Sequence, residues 1–285
     1  MPDIHLLFTA LEPITHMMGT RGNVAILNRE TVIRGEVPPV DVPVLSGNAL
    51  RHALMRKPAA SLLVECLGIK GETGFQLADL LYHGGNLIGW RAMGGEALRD
   101  FCRAVPFIRV FGGAFPGNIV PGILHVGRGL LACAETRDAI MRLSGIDIGD
   151  NAPACDECIG EYQYTRGCED VSEDDRRMIY SGECVLRGSK FYCLVSLADC
   201  AGELEIGCLF SALKAADNVI GGCGRAGHGR LDIEYSCEYT QEYIDSCISK
   251  YTDYVRENAS EAIDLLNSLF TEPKKTEKPS KKSKK

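Results

Sequence analysis

Ten residues near the C-terminus carry the densest chemistry in this chain. Gly221 to Arg230, GGCGRAGHGR, hold five glycines together with Arg225, His228 and Arg230. Glycine accepts positive φ and close approach of another backbone. Successive exposed N–H groups in such a turn, Gly222 and Gly224 among them, can cradle an anion, and the two guanidinium groups and the imidazole add donors. A tight turn with incidental arginines fits the same pattern. The segment lacks the GxxxxGK[ST] spacing of a P-loop. It also follows a helical pattern and precedes a strand pattern, the reverse of the order a dinucleotide fingerprint needs.

A second anion site is written at Leu45–Arg56, LSGNALRHALMR. Ser46, Gly47 and Asn48 make a turn that opens a helix, and the free N–H groups and dipole of a helix start attract negative charge. Arg51 lies three residues after Asn48, and Arg56 a little over one turn further. A well-capped surface helix fits equally. His16 and Arg21 stand in a glycine-bearing loop, residues 14–30, either as ligand contacts or as exposed polar residues. Cys155, Cys158 and Cys168 suit structural zinc, with Cys184, Cys193 or a histidine as fourth ligand; reduced thiols are the alternative. Arg166, beside that cluster, and Arg176 and Arg177 after it are further cations for a polyanion or a neighbouring copy.

The elements that must position these residues follow from the hydrophobic pattern. IHLLFTAL (4–11) reads as a buried strand, and residues 31–35 as the start of another. PPVDVPV is extended, because residues before proline avoid the helical region. Residues 58–100 read as glycine-interrupted helix, FIRVF (107–111) as a strand, and 119–133 as strand and turn. Residues 145–177 form a polar excursion. MIYSGECVL and KFYCLVSLA read as a β-hairpin turning at Arg187-Gly188-Ser189. A helix over 203–217, a strand over 231–239 and a last helix over 241–270 complete the chain. Strands flanking helices give an α+β protein with an open antiparallel sheet backed by helices.

Composition sets limits. The 285 residues are 45% hydrophobic and 24% charged, the balance of an ordinary globular protein. No apolar run approaches membrane-spanning length. The N-terminus lacks the pattern of a secretory signal. The 13 cysteines therefore read as reduced thiols in a cytoplasm. The net charge is −7, but Glu272–Lys285 carries seven Lys and two Glu, so the rest is −12. An acidic body excludes binding to nucleic acid by bulk charge; a polyanion site must be made of a few positioned groups.

Four motifs in order resemble the RAMP superfamily of CRISPR-associated proteins. They are Pro43 to Arg51 as P-x-x-S/G-G-x-x-x-R, Phe111-Gly112 as the phenylalanine-glycine turn, Glu183 to Gly188 with Phe191, and Gly221 to Gly229. Within that superfamily the chain is similar to the backbone subunit, the seventh Cas family, of a type IV effector, with type III next. The resemblance implies a ferredoxin-like, RNA-recognition-motif sheet with an inserted β-hairpin thumb. On that reading 1–144 and 191–270 are the core with its C-terminal helix, 145–190 the thumb-like insertion, and 271–285 a disordered basic tail.

It also implies copies polymerising along a CRISPR guide RNA in antiviral defence, with target nucleic acid and other effector subunits as partners and no membrane. The RNA contacts carried over are His16, Arg21, Ser46, Gly47, Asn48, Arg51, Arg56, Arg166, Gly222, Gly224, Arg225, His228 and Arg230. The chain departs from slicing relatives, because the loop Ile14 to Glu30 contains no Asp, and Gly22 or Asn23 stands where one is expected. An amide is a poor metal ligand and no general base. The expectation is therefore an RNA-binding subunit that is not an enzyme and needs no cofactor beyond the zinc option. The alternative is a RAMP-family endoribonuclease using His16 or His228.

Overall fold

The computed structural model describes residues 3–35, 37–69, 74–87, 94–115, 117–165 and 179–270. β1 (Ile4–Ala10) alternates strictly, with Ile4, Leu6, Phe8 and Ala10 buried. An excursion of β2 (Met17–Arg21), β3 (Val24–Leu27), β4 (Arg29–Arg34) and β5 (Val37–Leu45) leads to a long helical run. That run is α1 (Gly47–Leu50), a π-helical stretch Arg51–Arg56 and α2 (Lys57–Cys66). Ser46 caps it, its Oγ accepting from Ala49 N at 3.2 Å. In the wide turn Lys57 N reaches back five residues to His52 O.

α3 (Phe75–Ala78), a second π-helical turn Asp79–His83, α4 (Gly95–Ala104) and α5 (Pro106–Phe111) follow. The short strands β6 (Gly113–Phe115), β7 (Asn118–Val120), β8 (Leu124–Val126) and β9 (Gly129–Leu131) precede α6 (Arg137–Ser144). Next are β10 (Ile159–Thr165), β11 (Ile179–Val185), β12 (Lys190–Leu197), α7 (Glu203–Lys214), β13 (Leu231–Ser236), α8 (Gln241–Glu257) and α9 (Ala259–Phe270).

Among the described residues the main sheet runs β13-β1-β12-β9-β5-β4, with β8 also on β12. β13, β1, β12 and the β8–β9 pair are antiparallel throughout. They occupy the places of the fourth, first, third and second strands of a βαββαβ ferredoxin-like unit. The helical run after Ser46 and α7 are its two crossovers. One face of the sheet packs on the helices: Phe8, Phe191, Cys193 and Val195 join Leu54, Leu63, Leu209 and Phe210 in one core. α8 closes this layer with a stripe of Ile244, Cys247, Tyr251 and Val255, the three-and-four spacing of a buried helix face. A second sheet, β10-β11-β3-β2, stands beside the first.

Two expectations are corrected. FIRVF is helix, not strand. Pro106 takes the first helical position, where its missing N–H is harmless, and Phe107, Ile108, Val110 and Phe111 are buried as the short helix packs. A five-residue segment with a single polar residue, Arg109, at its centre does not distinguish the two states. The segments 178–186 and 190–198 are not a hairpin either. β11 pairs with β10 and β12 with β1. The link between them is drawn across by Leu186 N donating to Cys158 O (2.8 Å) and Gly188 N to Ala10 O (2.7 Å). The inserted hairpin is β10–β11; its tip, with Arg166, Cys168, Arg176 and Arg177, lies outside the described residues, as does the lysine-rich tail.

Candidate nucleic-acid interface

The two glycine-bearing turns, some 175 residues apart in the chain, are tied to two consecutive residues. Thr15 O accepts from Gly222 N at 2.7 Å, and Thr15 Oγ1 donates to Gly222 O at 2.6 Å. One residue on, His16 Nε2 accepts from Ser46 N at 3.1 Å. The Gly221–Arg230 loop and the start of α1 therefore flank the Thr15–His16 segment. Gly221 has φ +88°, and a Cβ there would lie 2.7 Å from Thr15 O, so the contact needs glycine. Gly47 is required for approach of a different kind, since a Cβ would stand 2.5 Å from Val126 O.

The inserted hairpin reaches the same place. Tyr162 of β10 packs edge-on against the His228 ring at 5.2 Å, and Cys223 Sγ lies 3.8 Å from the Tyr162 hydroxyl. Glu183 of β11 fixes the first excursion, accepting from Leu27 N (2.9 Å) and pairing with Arg29 (3.0 Å). Arg225, Arg230 and Gly224 are exposed on the loop, whereas Gly222, expected as an anion contact, spends its N–H and its carbonyl on Thr15. Asn48 is exposed at the helix start, and Arg21 is exposed at the β2–β3 turn.

His16 is neutral in this arrangement. An Nε2 that accepts a hydrogen bond carries no proton, and burial pushes the imidazole pKa down. Its lone pair is already spent on Ser46 N.

Arg56 is corrected. It is only 7% exposed, and its guanidinium is turned into the protein. Its guanidinium donates to the carbonyls of Leu80 (2.7 Å), Leu81 (2.8 Å), Phe111 (3.1 Å) and Gly112 (3.3 Å). It also stands 5.5 Å from the centre of the Phe107 ring. Its register on the wide helical turn aims it at the α5–β6 junction, where it acts as a latch. Burial first, and the charge of Arg51 second, bring its pKa down to about 10.

Arg51 shares the Phe111 carbonyl with it but is only partly buried, and its Nε is left without a partner. No carboxylate pairs with either arginine among the described residues. Two cations side by side without a counter-ion are an electrostatic demand for an anion.

Beside Arg51 a cleft of about 770 Å³ opens, lined also by Asn48, His125, Arg128, Glu30 and Tyr192. Arg128 is ion-paired with Glu30. Sequence reasoning missed Thr15, His125 and Arg128. The only local sign was an arginine between two glycines, Gly127-Arg128-Gly129.

Cys155 and Cys158 are buried in one turn, and Cys168 lies outside the described residues. Among the described residues no three His, Cys, Asp or Glu side chains gather closely enough to hold a metal. Cys155 leans on Cys133 instead: hydrogen bonding between the two thiols, with burial, raises the pKa of Cys155, and the same hydrogen bond lowers that of Cys133 against the effect of its burial.

No protein-family model matches the chain, and no curated protein matches it. Among solved structures, a chain of a "Type IV-B CRISPR Complex" superposes with a TM-score of 0.61 at 18% identity, covering 84% of this chain and 92% of that one. The chain thus shares its fold, over most of both lengths, with a component of a CRISPR complex.

Proposed function

We propose that this chain is a guide-RNA-binding backbone subunit of a CRISPR effector complex, gripping sugar and phosphate rather than bases. The observation that carries the reading is the Thr15–His16 tie, which brings the start of α1 and the glycine loop to two consecutive residues and supports their forming one groove. Backbone N–H groups, Asn48, Arg51, Arg225 and Arg230 are the phosphate contacts. The uncompensated charge of Arg51 and Arg56 favours an anion at the Arg51 end. Contacts of this kind position a strand without reading its sequence.

Copies of the chain on one RNA, with target nucleic acid and other effector subunits as partners, complete the proposal. So does binding without cutting, since the segment Ile14 to Glu30, folded as strands β2, β3 and the start of β4, offers no aspartate. The zinc option for Cys155, Cys158 and Cys168 stands apart from this groove.

Purified full-length chain should carry RNA of uniform length protected at regular spacing. Arg225→Ala should weaken RNA binding alike for unrelated sequences and reduce the salt slope by about 0.7, the value for one phosphate contact on a single strand. Unchanged retention and slope would contradict the groove assignment. A second reading has one observation in its favour: His228 Nδ1 is buried and has no hydrogen-bond partner among the described residues, as a general base held ready for RNA cleavage would be. Cleavage of labelled RNA, abolished by His228→Ala, would establish it.

A further inference from the structure

A second cleft lies at the other end of the helical layer. α7 has twelve residues and so spans about 18 Å. Its C-terminal end leads into the glycine loop. Its first turn, Leu204 and Glu205, forms one wall of a separate cleft of about 550 Å³. Three arginines line that cleft: Arg99 and Arg103, one turn apart on α4, and Arg109 on α5.

Arg109 is held rigidly. Its Nη1 donates to Glu205 Oε1 at 2.8 Å and its Nη2 to Cys200 O at 2.5 Å, yet its side chain remains 40% exposed. Glu205, the one carboxylate among the residues lining the cleft, is itself buried, and its other oxygen accepts from Gly202 N. The Tyr254 hydroxyl donates to Arg103 O at 3.0 Å, which fixes its ring against α4. Arg103 has only a long, exposed contact to Asp100 at 3.4 Å, and no carboxylate pairs with Arg99 among the described residues.

The polar side chains left unspent in this cleft are thus donors, all of them guanidinium groups, in a protein of net charge −7. A ligand must bring acceptors and negative charge. An extended acidic peptide also brings a backbone donor at each residue, for which the side chains here offer only the Tyr254 oxygen and the remaining lone pairs of buried Glu205. A phosphodiester strand brings phosphate acceptors along its whole backbone, with guanidinium forks on its phosphates and a base against Tyr254.

The geometry points to a second binding site for single-stranded nucleic acid at Arg99, Arg103 and Arg109, separate from the groove and able to be filled at the same time. It does not depend on the groove being the guide site.

The test uses full-length protein preloaded with unlabelled RNA and titrated with a short labelled single-stranded oligonucleotide. Arg99→Glu with Arg103→Glu changes only exposed positions. It should weaken oligonucleotide binding about tenfold or more at 0.1 M salt and lower the salt slope by about 1.4, while leaving the preloaded RNA in place. Free nucleoside monophosphate as competitor separates a mononucleotide site from a strand site: competition at equal phosphate concentration points to the former and overturns the strand assignment. Undiminished oligonucleotide binding by the double variant overturns the site, as does binding of polyglutamate at the same ionic strength with no binding of the oligonucleotide. Loss of the preloaded RNA from Arg225→Ala, by contrast, reports on the groove alone.

Discussion

The two ends of α7 solve one problem by opposite means. At the glycine-loop end, the proposed anion site is made of backbone held in place by two neighbouring residues: Gly222 is gripped by the carbonyl and the hydroxyl of Thr15, and Ser46 N is taken by the His16 imidazole. At the other end it is made of side chains: Arg99, Arg103 and a clamped Arg109. A backbone site is rigid and specific in shape, and loses its form when one glycine changes. A side-chain site is graded, and each arginine removed takes away a share of its charge. An acidic chain uses both because neither needs a basic surface.

Substitutions that strike one end and spare the other test this contrast. The largest effect should come from Arg56→Leu, which leaves four carbonyls without their shared donor and removes the ring contacts of the latch. A stability loss of about 3 kcal/mol in denaturant unfolding is expected, with any RNA defect following the loss of fold. Gly221→Ala should cost about 2 kcal/mol through its positive φ and the approach of Thr15 O, and should abolish RNA retention in the protein that remains folded. Normal retention there would show that the loop is not a backbone site. Thr15→Val removes the single hydroxyl bond to Gly222 O. It should lower stability by about 1 kcal/mol and loosen the loop, seen as faster amide exchange at Gly222 and Cys223.

The smallest effect is pH dependence. The His16 pKa is lowered in the folded state, so the unfolded chain binds the proton first as pH falls. Its contribution is whole above the unfolded value of 6.5 and is lost as pH drops from there toward the depressed folded value. Stability should decline over that window in the wild type and decline less in His16→Gln. An equal decline in both would place the titration elsewhere, His52 being another imidazole whose pKa is lowered.

Local signals in the sequence were reliable where local physics decides. Ser46 caps a helix because its hydroxyl meets Ala49 N. β1 alternates because one face is core, and the glycine loop sits between α7 and β13 as its neighbours required. What was not legible depends on tertiary partners. Arg51 and Arg56 look alike in the sequence; only the wide turn and the α5–β6 junction decide that one faces a cleft and the other four carbonyls. Arg187-Gly188-Ser189 has the composition of a hairpin turn, but Ala10 O takes the Gly188 amide and Cys158 O that of Leu186 just before it, and the two strands go to different sheets. FIRVF had no periodicity to read. Thr15 carries no motif at all, and its role comes entirely from a contact 207 residues away.

The central claim is that residues 46–51 and 221–230 form one groove on one RNA strand. Photo-crosslinking of full-length protein to a uniformly 4-thiouridine-substituted RNA, with the adducted peptides mapped by mass spectrometry, addresses it directly. The account predicts adducts in both segments, on the same strand and lost together in Gly221→Ala. Adducts confined to one segment, or to neither, would contradict it.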